Sequence, residues 1–134
     1  MKTFAVLLCF LGLFVPTLIF GQALDKDPSS SAKQLTMKRI LGSWILEHID
    51  ASTQSLIYKR KKDIVSFGHY LNFQSEGNLI IGKSTQCGND QSRFMKYGRW
   101  EISKDSKHLS TDTDILNYGK SFEIVELRAD MLIF

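Results

Sequence analysis

The hydrophobic pattern changes character once along this chain. Phe4 to Phe20 is an apolar stretch; beyond it, apolar residues recur in short runs separated by polar turns. Lys2 precedes the stretch and Pro16 breaks it late. Gly21 and Ala23 flank Gln22 behind it. A positive n-region, an apolar h-region and a small-x-small site together form a secretory signal. We read residues 1–22 as a signal peptide, cut after Gly21 or Ala23. The competing reading is a retained anchor. A spanning helix needs about 20 apolar residues, and this stretch is short and carries a proline. No stable membrane span is expected after cleavage.

Residues 25–34 are polar and low in complexity, and 23–34 is predicted as a flexible linker. The domain is then 35–134. Leu35, Met37, Ile40 and Leu41 fit one face of a short helix, with Ser31 as N-cap and Gly42 as terminator. Period-two patterning follows, and it predicts strands over 42–49, 56–58, 69–74, 79–84, 93–103, 108–113, 122–127 and 131–134. Residues 114–120 read as irregular. The expectation is an all-β domain of about eight antiparallel strands in up-and-down order. The apolar residues Met131 to Phe134 must be buried or paired. Pairing this last strand with the first closes a barrel and removes both edges. A two-sheet sandwich is the alternative architecture.

Composition narrows the function. The 134 residues carry 17 Lys+Arg, 14 Asp+Glu and a net charge of +3. Loss of Lys2 with the signal lowers this to +2, too little for nucleic acid without a concentrated basic face. Cys9 leaves with the signal, so Cys87 has no disulfide partner within the domain, which must rely on its core. Cys87 reads as an ordinary loop thiol. His48, His69 and His108 lack metal-ligand spacing. Asp112 and Asp114 lack the contrasting environments of an acid/base pair. With no nucleophile elbow, P-loop or dinucleotide fingerprint, no catalytic residue, metal or cofactor is expected.

Two G-x-W triplets, Gly42-Ser43-Trp44 and Gly98-Arg99-Trp100, stand among the strands. Together with Tyr70 to Gly77, Gly98 to Asp105, Leu109, Phe122 to Leu127 and Met131 to Phe134, they resemble lipocalins and related calycins. The pattern over residues 38–134 is similar to the small exported lipocalin-like domains of Bacteroidetes-type bacteria. The resemblance implies a compact β-barrel. In larger lipocalins an arginine packs on the first-strand tryptophan, and Arg128 is the candidate here.

A barrel of eight strands is just wide enough for packed side chains or one small ligand. Trp44 and Trp100 are expected as structural core. Phe73, Ile81, Phe94, Lys96 and Phe122 are the candidate ligand-binding residues. Alternation places Lys96 on the face of Trp100, where it could neutralise the carboxylate of a fatty acid or similar anion. A bend at Gly98 would instead turn it to solvent. The run Lys59 to Lys62 reads as a solvated hairpin or loop, or as a contact for anionic headgroups. The favoured function is a non-enzymatic carrier of a small apolar or amphipathic ligand in the periplasm, cell envelope or extracellular space. The alternative is an interaction protein with a filled barrel that contacts another protein through its loops.

Overall fold

Residues 28–62, 67–87 and 90–134 are described by the computed structural model, apart from the side chains at 86, 87, 90 and 91. The signal reading falls on residues outside this range.

The first element among the described residues is helix α1, Pro28–Ile40. It begins earlier than the sequence pattern suggested and takes in much of the segment read as a linker. Proline suits a first helical position, because its φ is preset and its missing N–H would have had no partner there. Ser31 therefore lies inside the helix and does not cap it. Lys38 and Arg39 sit in the last turn, where cations oppose the negative end of the helix dipole. Ile40 is buried, and Met37 and Leu41 pack on the core, while Leu35 faces solvent.

Among the described residues nine strands follow: β1 (Gly42–Asp50), β2 (Ser55–Lys61), β3 (Gly68–Phe73), β4 (Asn78–Cys87), β5 (Asp90–Ile102), β6 (His108–Thr111), β7 (Ser121–Glu123), β8 (Glu126–Leu127) and β9 (Met131–Ile133). They form one curled antiparallel sheet in the order β7-β6-β5-β4-β3-β1-β2-β9-β8. This departs from the up-and-down expectation at one point. β3 pairs with β1, not with β2, so β2 and β3 run in the same direction on either side of β1. The reason lies at the far end of the chain. The other edge of β2 is taken by β9: Leu132 stands opposite Tyr58, and Leu56 and Phe134 exchange both backbone hydrogen bonds. The last strand thus pairs with the second, not the first.

The segment 122–127, expected as one strand, changes partner half-way. β7 pairs with β6, and β8 pairs with β9. Between them, the Ile124 N–H donates to the Lys107 carbonyl, and the Val125 N–H donates to the Ile133 carbonyl. The two ends of the strand order are therefore only two residues apart in the chain, and the sheet curls like a half-barrel around one core.

Alternation sorts the side chains. Trp44, Leu71, Phe73, Leu79, Ile102 and Leu109 fill the concave side and are almost inaccessible. Phe73 meets Trp100 edge-on at 5.3 Å, and Tyr58 meets Phe134 at 5.9 Å. Edge-to-face geometry is the favoured one for such rings. Among the described residues no helix is long and apolar enough to cross a membrane.

Candidate functional site

The strand registers give the half-barrel two unlike ends. α1 and the turns after β3, β5 and β8 lie at one end, the base. The β1–β2 turn, the loop from Asp112 to Lys120 and Phe134 lie at the other, the mouth.

The base is closed by side chains that satisfy backbone groups. The Trp44 indole Nε1 donates to the Ile40 carbonyl at 2.7 Å. The Trp100 Nε1 reaches the carbonyls of Asn78 at 3.0 Å and Gln74 at 3.2 Å. Arg60 stacks its guanidinium 4.2 Å above the Trp44 ring. It also donates to the carbonyls of Leu41 and Ala129, each at 2.6 Å, and to that of Arg39. Burial pulls its pKa down from the usual range. The expectation for Arg128 is thereby corrected: its side chain is exposed and ion-paired to Glu126, and Arg60 is the arginine on Trp44. The basic run is strand, not loop, as far as Lys61. Lys59 points outward to Glu47 at 2.5 Å, whereas Arg60 turns to the tryptophan side.

Gly42 explains the first G-x-W triplet. It has φ +116°, and a Cβ there would stand 2.8 Å from the Arg60 Nη1. Gly98 explains the second: a Cβ there would meet Asp112 Oδ1 and Thr113 Oγ1 at 2.6 Å. After β6 the chain folds inward over Gly98. The Arg99 N–H donates to Asp112 Oδ1 at 2.7 Å, and the Asp112 N–H donates back to the Arg99 carbonyl at 3.1 Å. The Arg99 N–H foremost, helped by the Thr113 hydroxyl, holds the Asp112 carboxyl below its usual pKa.

From that anchor the loop drops Ile115 into the mouth, where it is fully buried. The loop is internally bonded, from the Ile115 N–H to the Gly119 carbonyl and from the Gly119 N–H to Asp114 Oδ1. Leu116, Asn117 and Gly119 all adopt positive φ. This plug divides the mouth. On one side lies a cleft of about 210 Å3 lined by His69, Ile81, Lys83, Phe94, Lys96 and Leu116, among others. On the other lies an apolar cleft of about 490 Å3 with Ile49, Leu56, Tyr118, Phe122 and Phe134 in its walls. Beneath, the buried Tyr58 hydroxyl finds no hydrogen-bond partner among the described residues, and burial pushes its pKa up.

The five candidate ligand residues thus separate. Ile81, Phe94 and Lys96 share the smaller cleft, Phe122 lines the larger, and Phe73 is buried against Trp100 near the base. Lys96 lies on the concave side, opposite Ile81, yet is exposed at the rim, as is Phe94. Trp44 and Trp100 are buried. His69, Lys83 and the plug were not anticipated. His69 and Lys83 were legible in principle, because they stand opposite one another on the face of Ile81. Burial, then Lys83, lowers the His69 pKa.

Compared with protein-family models, with curated proteins and with solved structures, the chain matches none.

Proposed function

We propose that the chain is an exported, non-enzymatic, lipocalin-like binding module whose site is the smaller mouth cleft and whose ligand is a small amphipathic anion. The observation that carries this is the joining of Ile81, Phe94 and Leu116 with two ammonium groups, Lys83 and Lys96, at one opening. Apolar walls with a few converging polar groups are the usual make-up of a ligand site. The one carboxylate in that lining, Asp114, already accepts the Gly119 N–H. Ile115 fills the mouth beneath, so the ligand sits at the rim and not deep inside. The lipocalin-like reading, with a closed barrel, draws support from Arg60 stacked on the G-x-W tryptophan and from the nearness of β7 to β8 in the chain. Export draws support from the N-terminal pattern, and the exported protein should begin at Gln22 or Leu24.

The test compares decanoate with decanol as probes. Lys96→Met should weaken decanoate binding roughly tenfold, the worth of one charge-assisted bond, and leave decanol unchanged. Equal loss of both would remove the reading.

The filled interior favours a second reading, an interaction protein acting through its loops on another envelope or secreted protein. Native mass spectrometry of the protein from its own host separates the two. A co-purified small molecule supports carriage, and a clean apo mass supports interaction.

A further inference from the structure

β5 has a neighbour on both sides for only part of its length. β4 pairs with it as far as Asp90, but β6 reaches only Trp100. Beyond that, Asp112 meets both backbone groups of Arg99, and the Thr113 hydroxyl donates weakly to the Tyr97 carbonyl at 3.4 Å. Backbone groups alternate sides along a strand. Met95 and Arg93 therefore turn their N–H and C=O groups the same way as Arg99 and Tyr97. No hydrogen bond from another described residue reaches them on that side. Ser92 to Tyr97 are all exposed, with Phe94 at 60% and Tyr97 at 71%. An open edge of this kind is a template for another strand.

The side chains on this edge read Arg93-Phe94-Met95-Lys96-Tyr97. We propose that a second copy of this chain pairs antiparallel with it, about a two-fold axis through Met95. In that register Met95 faces Met95, and both directions bring cation against ring. Arg93 lies opposite the second copy's Tyr97, and Phe94 lies opposite its Lys96. The outward-facing backbone groups of residues 93, 95 and 97 meet as hydrogen-bonded pairs, the second copy's Arg93 N–H replacing the long Thr113 bond on the Tyr97 carbonyl. Moving the axis to Lys96 would set Lys96 against Lys96 and Arg93 against Arg99. The Met95 register avoids both repulsions. Within one copy, Lys96 Nζ already lies 5.8 Å from the Phe94 ring centre, so this cation and ring suit each other. The interface is isologous, as a closed dimer needs.

Sedimentation equilibrium of the chain, purified as its own cell processes it, tests this between about 5 µM and 500 µM, a range suited to a weak edge contact. Monomer and dimer should exchange reversibly. Met95→Pro removes a donor that faces the open side and spares the β4 ladder. It should weaken the dimer at least tenfold with an unchanged far-ultraviolet spectrum. Arg93→Tyr and Tyr97→Arg should each weaken it about fivefold, and the double exchange should restore it to within about twofold. A monomer at every loading overturns the proposal, including one that instead sediments with phosphatidylserine vesicles or binds poly-glutamate. So does a dimer indifferent to Met95→Pro, or a double variant no better than the singles. Arg93 and Tyr97 do not line the mouth cleft. Decanoate binding by the exchange variants at about 1 µM, where the chain is monomeric and Phe94 and Lys96 are not shared with a second copy, therefore reports on the proposed ligand site separately from the dimer.

Discussion

The base and the mouth of this half-barrel are both closed, but by different means. At the base, Arg60, Trp44 and Trp100 donate to six backbone carbonyls of α1 and the neighbouring turns. At the mouth, one buried side chain, Ile115, hangs from a loop that bonds mostly to itself and to β5. The base ties together segments far apart in sequence. The plug depends on a single short stretch. Loops of that kind open at a lower free energy than the core they cover. The contrast assigns stability to the base and leaves the mouth as the end that can move, which is what the proposed function asks of it.

Three experiments press on the contrast. The largest effect is expected at the base. Trp44→Ala empties a fully buried ring site and should cost about 3–5 kcal/mol in urea unfolding. Ile115→Ala, although equally buried, should cost nearer 2 kcal/mol. Hydrogen exchange at Tyr118 and Gly119 should then speed up before global unfolding. If both variants lose the same stability with no local opening, the two ends do not differ. Next comes Arg60→Met, which keeps an apolar stem over Trp44 but strips three carbonyls of their donor. We expect a loss of about 1–3 kcal/mol, read as a lower Tm.

The smallest effect concerns pH. The folded pKa of His69 lies below its ordinary 6.5, so the unfolded chain takes up the proton first. Stability from this source is complete above 6.5 and is lost as pH falls through the folded value. His69→Gln should flatten the slope between pH 7.5 and 5.5. Asp50, Asp105 and Asp112 are lowered from 3.8, and their contribution is lost only further down. An unchanged slope in His69→Gln would place the mouth titration elsewhere.

Alternation made most of the strands legible. It marked the face of Trp44, Leu71 and Ile102 and the turns between strands, because a half-buried sheet imposes period two on any sequence. It also gave the correct face for Phe94 and Lys96. It could not say how far up the sheet they stand, and there β6 has already ended. Arg60 was hidden by composition. Four consecutive cations read as solvated, although Leu56, Tyr58 and Arg60 share one face by the same rule. Ile115 was hidden by its setting, since positive φ at Leu116, Asn117 and Gly119 erases any period. The pairing of β3 with β1 depends on what β9 does many residues later, and no local pattern records that.

That pairing also sets an order of events in folding. β1 and β2 are joined by a short turn and can meet early, because local contacts cost little loop entropy. β3 then covers the free side of β1. The outer side of β2 must wait for β9, which is made long after it. Throughout that interval β2 is an unpaired edge, and such edges invite wrong partners. Lys59 and Lys61 stand on it, and charge is what keeps a waiting strand from joining another chain. The basic run thus has a task before the native fold exists: to hold one seat empty until its own partner arrives.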